Sequence, residues 1–116
     1  MSLRRRLQHL ATPTHARDER ALAEWCNGLG ATPMNALENR VHQRVAGEVK
    51  GLRVIPKAGA ETLEVILTDG RGSVTGVFFG RRRIPGVTPG RYLELEGLIA
   101  HRDGRWEVLS PSYTLR

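Results

Sequence analysis

The chain has 116 residues, enough for one small hydrophobic core and little else. A formal net charge of +6 points to anionic partners, and the single cysteine, Cys26, excludes an internal disulfide or a cysteine-built zinc site. No run approaches a membrane span, and Arg4-Arg5-Arg6 is followed by Leu7-Gln8-His9-Leu10 rather than an apolar signal core, so the expectation is a cytoplasmic protein.

Residues 1–13 are basic. Thr14 is placed to cap a helix starting near His15, with Asp18 and Glu19 in its first turns. Leu22, Trp25, Cys26 and Leu29 recur at the spacing of one helix face, and Gly28 and Gly30 supply the stop. So short a helix is not stable alone in water. Residues 1–39 therefore read as a basic segment and an amphipathic helix that packs on the remainder, residues 40–116, with Trp25 as its anchor. Thr32-Pro33 reads as a second helix start, and residues 34–39 as a turn that plugs one end of that remainder.

From Arg40 onward the pattern changes to five short strands, near 41–54, 62–68, 73–80, 92–100 and 106–109, the last able to continue to Tyr113. Glycine turns separate them: Thr68-Asp69-Gly70-Arg71-Gly72, Pro85-Gly86, Pro89-Gly90 and Arg102-Asp103-Gly104-Arg105. Alternation sends Val45, Val49, Leu63, Val65, Leu67, Leu93, Leu95 and Ile99 inward, with Val74 and Phe78 of the third strand unless a one-residue bulge near Phe78-Phe79 reverses part of its phase. It sends Arg44, Lys50, Glu64, Ile66, Thr75, Val77, Phe79, Glu94 and Glu96 outward. Gly47 and Gly51 allow the first strand to bend. Residues 81–90 hold two Pro-Gly pairs, which excludes a helix between strands three and four. The fold class expected is mainly β: a five-stranded OB-fold barrel with an N-terminal α-helix and no substantial helix between strands three and four. The N-terminal helix is expected to cover the barrel end that such a helix would close.

Three segments carry a family resemblance: Val45-Ala46-Gly47-Glu48-Val49, Leu67-Thr68-Asp69-Gly70-Arg71-Gly72-Ser73-Val74, and Pro89-Gly90-Arg91-Tyr92-Leu93-Glu94-Leu95-Glu96-Gly97. Together they resemble the anticodon-binding-type OB domain, a superfamily that includes tRNA synthetase anticodon domains and the wedge domain of branched-DNA helicases. Leu109-Ser110-Pro111-Ser112-Tyr113 resembles the Asn-Pro-x-Tyr stretch that follows the last strand of helicase-type wedges, with Ser110 in place of Asn. The chain is most similar to small stand-alone OB-fold nucleic-acid-binding proteins of actinobacteria. The resemblance covers residues 40–113 and is specific for fold rather than for function.

Little in the sequence suggests an enzyme. His9, His15, His42 and His101 lack metal-ligand spacing, Ser73 and Ser110 lack a nucleophile context, and Gly70-Arg71-Gly72 lacks the lysine of a phosphate loop. Glu94 and Glu96 read as a strand face paired to nearby arginines. No cofactor and no metal is expected. Thirteen of the eighteen Lys and Arg fall in residues 40–116, and sixteen of the eighteen are Arg, whose planar fork suits phosphates and bases.

The binding set expected is Arg44 and Lys50 for phosphates, with Ile66, Val77 and Phe79 as apolar platform. Arg81, Arg82 and Arg83 leave strand three beside it, and Arg102 and Arg105 flank the last hairpin turn. Two fates are open to Phe79, a stacking surface or burial. Trp106 and Tyr113 read as core or barrel-end residues. The function expected is binding of single-stranded or branched nucleic acid, DNA or RNA, with little sequence preference. The alternative is a protein-interaction or adaptor module using the N-terminal helix or the barrel surface.

Overall fold

The computed structural model describes residues 17–57 and 59–116; the expected cap at Thr14 and helix start at His15 lie outside them. Residues 17–28 form helix α1, followed by strands β1 (His42–Lys57), β2 (Ala60–Thr68), β3 (Ser73–Phe79), β4 (Tyr92–Arg102) and β5 (Arg105–Leu115). The strands close in the ring order β1-β2-β3-β5-β4, with β4 returning to β1. Every neighbouring pair is antiparallel except β3–β5. That parallel seam has three registered pairs: Thr75 with Glu107, Gly76 with Val108 and Val77 with Leu109. This is the mainly-β barrel expected, with no helix between β3 and β4, and it is compatible with an OB-like small β domain.

Period-two alternation fills the barrel as anticipated. Val45, Val49, Leu63, Val65, Leu67, Val74, Phe78, Leu93, Leu95, Ile99 and Val108 form one buried cluster. Two irregularities aim the chain. Opposite β2, the register of β1 slips between Val49 and Gly51, where the glycine spacing allows a bend. On β5 the register against β4 slips between Leu98 and Glu96, and Ser110 takes a φ of 43°. That extra residue moves Pro111, Tyr113 and Leu115 into the inward phase held before it by Trp106 and Val108.

The two barrel ends are closed by segments without regular structure. Met34 and Leu37 enter the core from the turn after α1, so the expected plug is present. At the other end Ile84 and Val87, from the loop between β3 and β4, are buried in the same cluster. The expectation that α1 covers this end is therefore corrected: the loop carries its own apolar pair and needs no helix. Helix α1 lies instead on the outer face of β1, where Leu22 and Cys26 pack with Ala31 and Ala46, and Trp25 and Leu29 pack beside them. The Cys26 thiol donates to the Ala46 carbonyl at 3.0 Å.

Helix α1 stops as its sequence suggests. Gly30 has a φ of 72°, its N–H donates to the Asn27 carbonyl and the Ala31 N–H to the Cys26 carbonyl, the paired bonds of a left-handed glycine cap. No helix among the described residues is long and apolar enough to cross a membrane.

Candidate nucleic-acid interface

The outer face of β2, β3 and β5 is built around two buried carboxylates. Glu64 on β2 is 0% exposed and Glu107 on β5 is nearly so. Arg53 of β1 donates to Glu64 Oε1 at 2.6 Å from Nη2 and at 3.1 Å from Nε. From the other side Arg105 Nη2 donates to Glu64 Oε2 at 2.7 Å and to Glu107 Oε2 at 2.6 Å. Arg102 closes the chain with Nε 3.2 Å from Glu107 Oε1. Burial alone raises the Glu64 carboxyl, but hydrogen bonds from Arg105 and Arg53, and their charges, overcome it and hold its pKa below the usual value. The bonds to Glu64 and Glu107 raise that of Arg105.

This lattice corrects one expectation. Val77 lies on the outer face, as alternation requires, but is 0% exposed and offers no platform. Glu64 and Arg105 belong to the strands on either side of β3, so their hydrogen-bonded side chains pass over it. Thr75, on the same face, is buried as well. Ile66 remains half-buried. Arg102 and Arg105 are tied to carboxylates of the barrel and are not free phosphate ligands.

Arg44 and Lys50 fall on another side of the molecule, beside α1. Arg44 donates to the Leu29 carbonyl at the helix C-terminus at 2.7 Å and lies 3.7 Å from the Glu94 carboxylate, so it serves the helix end. Glu94 is buried and bonded to Arg116, whereas Glu96 is exposed. Lys50 pairs with Glu48 at 3.5 Å. A groove of about 770 Å³ opens here, lined by Trp25 and Tyr92, whose ring centroids are 4.7 Å apart. Its charged lining is Asp18, Glu19 and Glu48 against Lys50, which disfavours a polyanion.

The turn at 69–72 is likewise structural. The buried Asp69 carboxylate accepts from the backbone N–H groups of Met34, Arg71 and Gly72 at 2.8, 2.9 and 3.0 Å. Gly70 has a φ of 84°, and a Cβ there would stand 2.4 Å from the Glu19 carbonyl oxygen of α1. A side chain at that position would push the helix off the hairpin.

Of the remaining expected residues, Phe79 and Arg81 meet where the β3–β5 seam ends. Beyond Val77 and Leu109 the two strands separate, and the gap is a shallow depression of about 160 Å³ lined by Phe78, Phe79, Arg81, Ser110, Pro111 and Tyr113. Phe79 is 49% exposed, which decides between its two fates, and Tyr113 is 38% exposed. Phe78 meets Tyr113 edge-on, with centroids 6.1 Å apart and planes at 79°, and so holds the tyrosine ring from the core side. Arg81 makes no ion pair among the described residues. Arg82 pairs with Glu61 at 2.9 Å, and Arg83 borders a separate depression with Ile84 and Val87.

The structure thus brings Phe79 and Arg81 together, turns Arg82 and Arg83, next in the chain, toward a separate depression, and separates the rest. Tyr113 is the partner that sequence reasoning missed as a surface ring. The signal was Ser110-Pro111, a bulge that shifts the phase of β5 and brings Tyr113 to the rim. Compared with known proteins, the chain matches no family model, and no curated protein matches it.

Proposed function

We propose that this protein is a non-enzymatic OB-like module that binds single-stranded or branched nucleic acid with little sequence preference, at the open end of the β3–β5 seam. The observation that carries the reading is the grouping of two exposed rings, Phe79 and Tyr113, with Arg81, whose guanidinium has no ionic partner among the described residues. Bases stack on such rings for roughly 1–3 kcal/mol each, regardless of sequence. Arg81, with the exposed Arg82 and Arg83 next to it, supplies positive charge for the phosphates. The resemblance to anticodon-binding-type OB domains supports the barrel scaffold on which this platform sits. The depression is smaller than the roughly 300–1,000 Å³ of small-molecule pockets, which suits a surface platform better than an enclosed ligand. With only two rings on the platform, binding is modest in affinity and strongly salt-dependent.

The test is titration of a labelled single-stranded oligonucleotide of about ten nucleotides, as DNA and as RNA, across a salt series. Arg81→Ala is expected to weaken binding alike for every sequence and to flatten the logarithmic salt slope by about 0.7. Phe79→Ala and Tyr113→Ala are expected to lower affinity while leaving that slope nearly unchanged. Absence of binding by the parent protein at low salt would end this reading.

A further inference from the structure

Strand β1 is longer than its partners can cover. Its first half, His42–Glu48, pairs with β4, and its second half pairs with β2 alone. From Gly51 to Lys57 no backbone hydrogen bond from another described residue reaches the side of β1 facing away from β2. Alternate N–H and C=O groups along this stretch therefore have no backbone partner among the described residues, as at an open sheet edge. The barrel end beside it lacks a covering helix, and Leu52 and Val54 are left 37% and 43% exposed. They border a depression of about 130 Å³ whose floor is Leu63, Ile84 and Val87 and whose rim carries Arg53, Arg82 and Arg83. The Arg53 side chain is half exposed despite its bond to Glu64, Arg82 belongs to an exposed pair, and Arg83 has no ionic partner among the described residues.

The geometry points to the β1 edge over residues 51–55 as the docking site of an extended segment of a partner protein that alternates acidic and apolar residues. An added strand meets the free backbone groups, and its alternate side chains separate onto the two faces. Apolar residues fall beside Leu52 and Val54, over Ile84. Acidic ones fall beside Arg53 on the outer face, and an acid at the end of the segment reaches Arg83. Charge disfavours a second copy of this chain as the occupant in the register centred on Arg53. A two-fold pairing centred on residue 53 would set Arg53 against its own copy and bring both arginine rims together, and like charges directly opposite are destabilising. Pro56 has no N–H to donate, which stops the pairing near Ile55 and favours a short segment over an extended sheet.

The experiment uses the full chain and a fluorescent peptide of about nine residues alternating glutamate and valine, read by anisotropy. Two further peptides carry N-methyl groups on one or the other set of alternate amides. Methylation of the set facing the β1 edge is expected to weaken binding about tenfold or more, and methylation of the other set to leave it unchanged. Val54→Lys and Arg83→Ala are each expected to weaken the peptide severalfold. Phe79→Ala and Arg81→Ala are expected to leave it bound, which separates this edge from the nucleic-acid platform whether or not that platform binds. No binding by the unmethylated peptide overturns the inference. So does equal loss in both methylated frames, or equal binding of a lysine–valine peptide. Displacement of the peptide from the Phe79→Ala or Arg81→Ala protein by a ten-nucleotide oligonucleotide also overturns it, because the edge itself is then a general polyanion surface.

Discussion

Arg105 serves two buried carboxylates at once, whereas Arg102 serves one from a more exposed position, with side-chain exposures of 36% and 54%. Removing Arg105 leaves Glu107 with Arg102 and Glu64 with Arg53, each short of a donor inside the barrel wall. Arg105→Ala is expected to destabilise by about 2–3 kcal/mol, the cost of losing charge-assisted hydrogen bonds to two buried carboxylates. Arg102→Ala is expected to cost about 1 kcal/mol or less, as exposed pairs do. Chemical denaturation midpoints of the two variants decide it.

Glu64 also sets the acid side of the stability profile. Its folded pKa is depressed, so its contribution is fully present above the unfolded value of about 4.3 and is lost as pH falls through the folded pKa. Glu64→Gln is expected to lower stability at neutral pH and to flatten its fall below about pH 4. A pH series of unfolding curves checks this. None of these pairings can be seen in the strand pattern alone, because Arg53, Glu64, Arg105 and Glu107 sit at ordinary outward positions on three different strands.

Among the elements, α1 illustrates how a short helix gains a place. Its apolar stripe is legible from spacing, its stop from Gly30, and its docking from the need to bury Leu22 and Cys26. Burial pushes the Cys26 thiol up to about 11, so the thiol stays neutral and unreactive while α1 is seated. Trp25 lies partly buried against Tyr92, and Trp25→Ala is expected to cost about 1.5–3 kcal/mol. The same variant should speed alkylation of Cys26 by a thiol reagent, since undocking of the helix exposes it. Unchanged midpoint and unchanged alkylation would show that the tryptophan does not hold the helix.

For the molecule as a unit, the decisive feature is how a barrel without its inter-strand helix closes its ends. Ile84, on the loop between β3 and β4, is as deeply buried as the strand residues it joins. Ile84→Ala is therefore expected to cost about 2–5 kcal/mol, a value typical of core positions rather than loops. Thermal or denaturant unfolding should show this as one cooperative transition shifted to lower stability. A loop-like loss near zero would mean that the segment only rests against the barrel. The same economy leaves Leu52 and Val54 uncovered, so the missing helix shapes the surface as well as the core.

The strand count, the inward residues of the first four strands, the bend at Gly47–Gly51 and the helix stop are all legible in the order of residues. Each is local: period-two alternation, glycine turns and cap geometry depend on neighbours in the chain. The juxtaposition of Phe79 and Arg81 at the end of β3 is local in the same way. Which outward residues face solvent is settled by contacts between strands that are distant in sequence. Val77 is outward by phase yet sealed, because Glu64 and Arg105 reach across from the strands on either side of it. Arg44 is outward yet committed to the C-terminus of a helix. Tyr113 reaches the platform because one extra residue at Ser110 reverses the phase of β5, and the seam it completes exists only where two strands far apart in the chain run parallel and then part.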